Sequence, residues 1–295
     1  MTYSSATSGL VTPLEPDRAT DAGALPGEPG EAVHSNAFRR LAVAAASTCG
    51  TYHGVNEDAH SPLDGSDRLF VVADGVGGGA MARVASTLLV SHLHDVFADR
   101  VPDPEQVSAA ILGADRMIAA AIARVTDRPG AATVALCAPV DRLAATWLVG
   151  WVGDCRVYHW SPATPATIGV LTRDDTFGHL GEAAPSGGSL DDPARMVGNG
   201  ATSGANTALH AIGWGDVLAV CSDGVHKHLD NEAWCRVLAQ PSPLVRKGRA
   251  LVALARARGS ADDATVLLVE RSPPSGRGDR RVASANVLNR HRSQP

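Results

Sequence analysis

The alternation of apolar and polar positions along this chain predicts a mixture of short strands and longer helices. Short apolar runs bounded by Gly, Asp or Pro predict strands at residues 40–46, 68–73, 132–138, 144–152, 156–159, 168–171, 216–221 and 264–270. Longer segments with apolar residues at three- and four-residue spacing predict helices at residues 80–98, 104–125, 231–239 and 244–258. Pro104 directly after Asp103 is typical of a helix start with an N-cap.

The order of these elements indicates the fold class. Strands come first, two consecutive helices follow, and then come a run of strands, two helices and a last strand. Because strands do not alternate strictly with helices, a doubly wound parallel sheet is disfavoured. The pattern therefore favours an α+β protein in which antiparallel sheets are covered by helices.

The two ends and one internal segment lack this periodicity. Residues 1–38 are rich in Pro, Gly, Ser, Thr and Glu, which predicts a disordered leader. Residues 272–295 are rich in Pro, Gly and Arg, which predicts a disordered tail. A single folded domain is expected over residues 39–271. Within it, residues 174–207 form a long, polar, Gly-rich stretch, and a loop of this length in a compact domain is usually functional or mobile.

Composition and charge narrow the classes of function. The 295 residues are 44% apolar and 19% charged, as in globular proteins. The net charge of −5 argues against nucleic acid as the main ligand, because phosphate neutralisation needs clustered cations. No apolar stretch approaches the roughly 20 residues needed to cross a bilayer, and no signal peptide is visible at the N-terminus. We therefore expect no nucleic-acid partner and no membrane association.

The cysteines bear on the cellular compartment. There are five of them, their spacing is wide and no C-x-x-C occurs, so neither a disulfide framework nor a zinc site is expected. Free cysteines in apolar runs behave as small hydrophobic residues. A reducing compartment, and hence a cytoplasmic location, fits this usage best.

Three apolar runs carry an aspartate at one end, and these aspartates are the first candidates for chemistry. The run LFVVADG ends in Asp74, the run LAVCSDG ends in Asp223, and Asp262 opens the segment before the last strand. Carboxylate, carbonyl and water oxygens are the ligands that Mg²⁺ and Mn²⁺ prefer. Gly75 has no Cβ, so its backbone carbonyl can approach a cation held by Asp74.

Two interpretations of these motifs are open at this point. Two cations about 3.5–4 Å apart share a carboxylate and bridge a water, which loses its proton near neutral pH and attacks phosphorus. Asp-Gly is also a common tight-turn dipeptide, so each motif alone indicates no more than a hairpin. The threefold recurrence favours the cation site. Residues 56–58 (NED) and 153–156 (GDCR) add acidic groups, although each would indicate a turn if it stood alone.

Taken together and in order, the motifs resemble those of the protein phosphatase 2C family of metal-dependent Ser/Thr phosphatases, in its minimal bacterial form. They are NED (56–58), VADGVGG (72–78), ATV (132–134), GDCR (153–156), LTRDD (171–175), SDG (222–224) and DDAT (262–265). The resemblance covers roughly residues 40–270. It implies a central sandwich of two antiparallel β-sheets flanked by helix pairs, which agrees with the order of elements.

The resemblance implies roles for individual residues. Asp74 would bridge two Mn²⁺ or Mg²⁺ ions, and Gly75 would lend its carbonyl. Asp223 and Asp262 would hold the second ion. Asp74, Asp223 and Asp262 are thus the expected catalytic centre.

Three further acidic residues complete the implied site. Glu57 and Asp58 would contact the ions mainly through waters. Asp154, together with Asp223, would hold a weaker third ion. The implied partners are phosphoserine and phosphothreonine proteins and a cognate bacterial Ser/Thr kinase.

Several positions depart from the family pattern. The family usually has Arg three residues before NED, and His53 stands there, where it would contact phosphate with a charge only when protonated. Val76 replaces a His found in many eukaryotic members, so the leaving group would need another proton donor. Asp263, for the family's Asn, either tightens metal binding or faces solvent. Asp175 replaces a His whose contact is usually structural.

Two histidines lie just after the SDG motif. His226 and His228 flank Lys227. One interpretation is metal ligation. The preferred interpretation is a surface position at the start of a helix.

The sequence supports three hypotheses of function. The first is hydrolysis of phosphoserine and phosphothreonine in proteins by a hydroxide bridging two divalent cations, with no phospho-enzyme and with residues 174–207 as a mobile flap that sorts substrates. The second is a catalytically degenerate regulatory or binding module, favoured by His53 and Asp263 and opposed by the retained metal ligands. The third is a metal-dependent hydrolase of small phosphoesters.

Overall fold

The computed structural model describes residues 30–51, 54–127 and 130–274. The strands are β1 (Gly30–Ser35), β2 (Arg40–Thr48), β3 (Ala59–His60), β4 (Phe70–Val76), β5 (Ala131–Pro139), β6 (Thr146–Val152), β7 (Arg156–Trp160), β8 (Ile168–Val170), β9 (Asn206–Ala211), β10 (Val217–Cys221) and β11 (Ala264–Ser272). The helices are α1 (Ala80–Phe97), α2 (Pro104–Ala123), α3 (Phe177–Leu180), α4 (Asp223–His226), α5 (Asn231–Leu238) and α6 (Leu244–Ala257).

In the described part of the chain, the strands form two antiparallel sheets. One sheet has six strands in the order β1-β2-β11-β10-β7-β8, and the other has five in the order β3-β4-β5-β6-β9. Helices α1 and α2 pack on the five-stranded sheet, and α5 and α6 pack on the six-stranded sheet. The predicted α+β sandwich of two antiparallel sheets flanked by helix pairs is confirmed.

Alternation along the strands explains why the two sheets stack. In β4, Phe70 and Val72 belong to the layer between the sheets, while Val71 and Ala73 face helices α1 and α2. Phe70 stacks on Trp147 of β6, with ring centroids 5.9 Å apart. Because the central strands are buried on both faces, they read in the sequence as nearly continuous apolar runs.

Helix α2 begins where the sequence predicts, and one of its faces is buried in the core. Asp103 accepts the backbone N–H of Gln106 at 2.8 Å, which caps the helix start. Helix α2 is long enough and apolar enough to cross a membrane, so the expectation that the chain has no such stretch is wrong. Its buried residues, among them Val107, Ile111 and Ile118, pack against the five-stranded sheet. Its apolar character is therefore explained by a place in the core.

Several boundaries differ from the sequence predictions. β1 lies inside the predicted leader, so the limit at residue 38 is wrong for residues 30–35, which pair with β2 as an edge strand. The rest of the leader, and the tail beyond Pro274, lie outside the described residues. β4 continues through Asp74 to Val76 instead of ending before the aspartate. The short elements β3, β9, α3 and α4 were not predicted.

The stretch 174–207 is tied to the sheets at several points. The backbone N–H of Asp175 donates to the carbonyl of Gly153 at 2.8 Å. Val197 and Ala132 form an isolated antiparallel bridge. These contacts fix parts of the stretch beside the ATV and GDCR motifs, and its mobility stays a prediction.

Candidate metal centre

Asp74 lies in β4, where two other motifs pack beside it. In the register of β4 and β5, Asp74 is opposite Thr133 and Gly75 is opposite Ala132. Gly153 has a φ of +92°, and a Cβ at this position would come within 2.4 Å of Thr133 Cγ2. The ATV and GDCR motifs are therefore in direct contact next to Asp74, and only glycine fits at position 153.

Gly75 is required by the close approach of three backbone segments. A Cβ at this position would lie 2.5 Å from the carbonyl oxygen of Ala82 and 2.8 Å from that of Glu57. Any side chain would therefore displace helix α1 or the NED segment. Coordination through the Gly75 carbonyl itself stays a prediction.

Ser222 connects three motifs through one hydroxyl group. Its Oγ donates to Asp58 Oδ2 at 2.7 Å and accepts the backbone N–H of Thr265 at 3.0 Å. Thr265 Oγ1 lies 2.7 Å from Ser47 Oγ, which also accepts from Asn56 Nδ2 at 2.8 Å. Sequence reasoning missed the roles of these residues, although a Ser or Thr beside an Asp at the end of an apolar run is a signal of such support.

Asp263 is buried, so of the two alternatives for this residue the one in which it faces solvent is wrong. Its Oδ1 accepts the backbone N–H of Gly50 at 2.6 Å, and its Oδ2 accepts that of Glu57 at 2.5 Å. Both carboxylate oxygens are thus engaged by backbone groups. Asp263 holds the NED segment in place, and an effect of its carboxylate on metal binding stays a prediction.

Glu57 is buried at the start of helix α1. Its Oε1 accepts the backbone N–H of Gly79, which is the N-cap of α1. Its backbone carbonyl accepts the hydroxyl of Ser86 at 2.5 Å. A carboxylate at a helix N-terminus is favoured by the unpaired N–H groups and the helix dipole. The position of Glu57 is therefore set by its backbone and by α1 together.

Asp223 begins helix α4 directly after β10. A Cβ on Gly224 would come 1.9 Å from the carbonyl oxygen of Asp263, so SDG and DDAT are packed backbone against backbone. Asp262 is exposed at the rim of this contact, and its Oδ1 accepts the backbone N–H of Asp263 at 2.8 Å. The tertiary fold thus brings together the two motifs predicted to hold the second ion.

Asp154 is buried and paired with a lysine. Lys227 Nζ lies 3.2 Å from Asp154 Oδ2 and 2.7 Å from Asp223 Oδ2. His226 is only 4% exposed, so the expectation of a surface position is wrong for it, whereas His228 is partly exposed. Burial lowers the pKa of His226 to about 4, so the neutral ring donates from Nε2 to the Asp154 carbonyl at 2.9 Å.

The acidic side chains act on one another's pKa. The pKa of Asp74 is raised well above its ordinary value by burial first and then by the charges of Asp58, Asp223, Asp154 and Asp262. Burial raises the pKa of Asp58 to about 8 and that of Asp154 to about 6. Desolvation, followed by the charge of Asp223, raises the pKa of Asp262. Carboxyl groups from five distant motifs therefore share one electrostatic environment.

Asp223 is the exception within this group. Burial alone would raise its pKa, but the Lys227 ammonium group brings the pKa below the ordinary value. Burial alone would lower the pKa of Lys227, and the charges of Asp223 and Asp154 raise it instead. The lysine is therefore charged at neutral pH and compensates part of the acidic cluster.

The donor set fits divalent cations. Asp58 Oδ1 and Asp223 Oδ1 are buried, and neither has a hydrogen-bond partner within the described ranges. Buried polar atoms are nearly always satisfied, and hard cations satisfy carboxylate oxygens. As the side chains stand, no group of three or more His, Cys, Asp or Glu in the described residues is arranged to enclose an ion. Ligation therefore stays a prediction for Asp74, Gly75, Asp223, Asp262, Asp154 and, through water, Glu57 and Asp58.

The two aspartates of the LTRDD motif hold the GDCR turn. Asp174 accepts from Arg156 Nε at 2.8 Å and from Nη2 at 2.7 Å, a bidentate pair. Asp175 accepts the backbone N–H of Gly153 at 3.1 Å and the side-chain amide of Asn206 at 3.0 Å. The contact of Asp175 is thus structural, as expected.

The described residues offer fewer candidates for contact with the substrate phosphate than for contact with the metal ions. His53 lies outside the described residues, so its phosphate contact stays a prediction. Lys227 and Arg156 are both paired with carboxylates of the motifs. Neither side chain is free to replace the Arg that the family pattern has at position 53.

Comparison with known proteins agrees with this geometry. Over 243 residues the chain is 27% identical to the serine/threonine protein phosphatase PstP of Mycobacterium tuberculosis. The aligned region covers 78% of this chain and 45% of PstP. The chain thus spans about half the length of that relative. No protein-family model matches the chain.

Solved structures show the same fold. The catalytic domain of PstP, solved in complex with two manganese ions, superposes with a TM-score of 0.65 at 25% identity, over 79% of this chain and 98% of that domain. The phosphatase MsPP of Mycobacterium smegmatis gives a TM-score of 0.64 at 25% identity, over 77% and 97% of the two chains. The fold is that of protein phosphatase 2C. The chain is a distant homologue, over about 78% of its length, of the bacterial Ser/Thr phosphatases of this type.

Proposed function

We propose that this chain is an active metal-dependent phosphatase that hydrolyses phosphoserine and phosphothreonine in proteins. The observation that carries the proposal is the shared environment of its acidic side chains: burial and mutual repulsion raise the pKa of Asp74, and each neighbour comes from a different motif. Such a cluster is stabilised by divalent cations. The homology to PstP, whose catalytic domain was solved with two manganese ions, supports it.

In this proposal each acidic residue has a defined task. Two Mn²⁺ or Mg²⁺ ions would be held by Asp74, Gly75, Asp223 and Asp262, and Glu57 and Asp58 would act through water. When bound, the ions supply the Lewis acidity and the acidified water that phosphomonoester hydrolysis needs. Ser222 orients Asp58, and Asp263 orients the backbone of Glu57.

Direct hydrolysis, without a phospho-enzyme, is supported by the state of the nearby nucleophiles. Burial raises the pKa of the Cys155 and Cys221 thiols, so neither is a thiolate at neutral pH. The ring of His226 donates to a backbone carbonyl from a buried position. None of these three groups is therefore in a state to act as a nucleophile toward phosphorus.

The proposal also covers the substrate proteins and the cellular location. The substrates would be phosphoproteins made by a cognate bacterial Ser/Thr kinase, with residues 174–207 as a flap that sorts them. A cytoplasmic location is supported by the five cysteines, none of which forms a disulfide within the described residues.

The test is metal-dependent turnover. Wild type should hydrolyse p-nitrophenyl phosphate and a phosphothreonine peptide with Mn²⁺ and lose this activity in EDTA. Asp74→Ala should lose it with Mn²⁺ present, whereas Asp64→Ala, at an exposed position, should retain it. Absence of metal-dependent turnover, or full activity in Asp74→Ala, would sink the proposal.

Two alternatives have their own readouts. A catalytically degenerate regulatory module is favoured by the pairing of Lys227 with Asp223, and it would bind Mn²⁺ or a phosphoprotein without turnover. A hydrolase of small phosphoesters would show higher kcat/KM on small phosphomonoesters than on the phosphothreonine peptide.

A further inference from the structure

Lys227 places its ammonium group between two carboxylates that the family pattern assigns to a third divalent ion. Nζ lies 2.7 Å from Asp223 Oδ2 and 3.2 Å from Asp154 Oδ2. The side chains of Asp154 and Asp223 are 4% and 17% exposed, while that of Lys227 is 41% exposed. The lysine therefore approaches the two carboxylates from the solvent side.

The local backbone fixes the lysine in this position. Helix α4 begins at Asp223, and Lys227 follows four residues later on the same face. An acidic residue four positions before a lysine is the favourable order for such a pair. The backbone N–H of Lys227 also donates to the Asp223 carbonyl at 3.0 Å, which closes the turn between them.

Asp154 is also fixed by its backbone carbonyl and by the residue that follows it. The buried ring of His226 bonds its backbone carbonyl at 2.9 Å. The next residue, Cys155, lies with its Sγ 3.2 Å from Thr133 Oγ1 in β5. The contact between Asp154 and Lys227 is therefore part of the packed structure and differs from an ordinary surface ion pair.

We propose that Lys227 is a built-in cation that takes the place of the third divalent ion, so that this chain binds two ions. The inference rests on the proposed two-ion site. An ion between Asp154 and Asp223 would need their oxygens at about 2.0–2.1 Å, as for Mg²⁺. The ammonium group already bonds both carboxylates, and its charge repels a second cation at short range. The lysine and a third ion therefore exclude each other.

Counting bound Mn²⁺ tests the inference without relying on turnover. The full chain, as wild type, Lys227→Met and Lys227→Arg, is dialysed against micromolar to millimolar Mn²⁺, and bound metal is measured by elemental analysis. Met keeps the aliphatic stem and removes the charge, and Arg keeps the charge. We expect wild type and Lys227→Arg to saturate at two ions and Lys227→Met to bind a third.

Matched variants locate the third ion. Arg236→Met removes one positive charge from an exposed i, i+4 pair with Glu232 and should still bind two ions. Asp154→Asn combined with Lys227→Met should return the count to two. Lys227→Gln serves as a second neutral variant if circular dichroism shows that Lys227→Met is unfolded.

The outcomes separate this inference from the proposed function. Three ions in wild type, or two ions in both neutral variants, would overturn the role of Lys227 and leave the proposed phosphatase intact. No bound Mn²⁺ in wild type would contradict the two-ion site itself, and the inference would fail with it.

Discussion

The carboxylate of Asp263 accepts the backbone N–H of Glu57 at 2.5 Å, across a sequence separation of 206 residues. Its other oxygen accepts the backbone N–H of Gly50 at 2.6 Å. One side chain at the start of β11 therefore holds the segment that carries Glu57 and Asp58. Asp263 supports the acidic cluster structurally, although its neighbour Asp262 is the predicted ligand.

Replacing Asp263 with Ala should destabilise the protein. The N–H of Glu57 is buried and that of Gly50 is partly buried, and both would lose their acceptor. Each such loss costs about 1–3 kcal/mol, so we expect about 2–6 kcal/mol in total. Asp263→Asn keeps one acceptor and should cost less. Urea unfolding in EDTA measures these differences, with exposed Asp64→Ala as the control. Equal stability of Asp263→Ala and Asp64→Ala would contradict the assigned role.

Asp74→Asn should make the metal-free protein more stable and should abolish its stabilisation by Mn²⁺. Without metal, folding of wild type must either bury the Asp74 charge among acidic neighbours or take up a proton, and both cost stability, so the variant should be more stable than wild type in EDTA. Added Mn²⁺ should raise the thermal midpoint of wild type and leave that of the variant unchanged. Turnover should fall by more than about 100-fold. A variant that Mn²⁺ stabilises as strongly as wild type would remove Asp74 from the site.

The strands that the sequence marks clearly are those buried on both faces. β5 and β10 are buried along their whole length, so their apolar runs are unmistakable. β1 alternates between partly buried and exposed residues, and its polar composition resembles that of the predicted leader. Edge strands of this kind are decided by pairing with a neighbour, here β2, which local composition does not reveal.

In the candidate site, too, some residues could be predicted from the sequence and others could not. The acidic motifs could be predicted because their residue types suit hard cations. The surroundings of His226 and Lys227 could not, since the polar stretch that contains them reads as a surface helix start. Helix α4 packs against β11 and α6, and His226 on this helix is buried with its ring on the backbone carbonyl of Asp154, from a distant segment. Tertiary packing therefore decides which polar residues support the cluster.

Gly224→Ala should show how closely SDG and DDAT are packed. A Cβ at Gly224 would lie 1.9 Å from the carbonyl oxygen of Asp263, and backbone must shift to relieve the clash. We expect a loss of about 1–3 kcal/mol in unfolding free energy and weaker Mn²⁺ binding. Gly169→Ala is the matched control, because its nearest neighbour would be at 3.9 Å. If both variants behave alike, the close contact at Gly224 has no energetic consequence.

The pH dependence of stability without metal should reveal Asp58. Burial raises its pKa from 3.8 to about 8. A carboxyl group whose pKa is higher in the folded state binds its proton more tightly when folded, so its contribution to stability is full below about pH 4 and is lost as the pH rises through about 8. Asn cannot ionise, and Asp58→Asn should therefore lack this loss.

The comparison of Asp58→Asn with wild type isolates this group from all others that titrate. In EDTA the variant should gain stability relative to wild type between about pH 5 and about pH 8. Over this range Asp58 is ionised in the unfolded chain and keeps its proton in the folded protein, so folding of wild type must take up a proton, which becomes more costly as the pH rises. Mn²⁺ should reverse the order at the higher pH, since a bound cation replaces the proton and stabilises the carboxylate. Urea unfolding at the two pH values, with and without Mn²⁺, gives the four differences. If the difference in unfolding free energy between variant and wild type does not depend on pH in EDTA, the pKa of Asp58 is not raised. If Mn²⁺ leaves that difference unchanged, Asp58 does not interact with the ions.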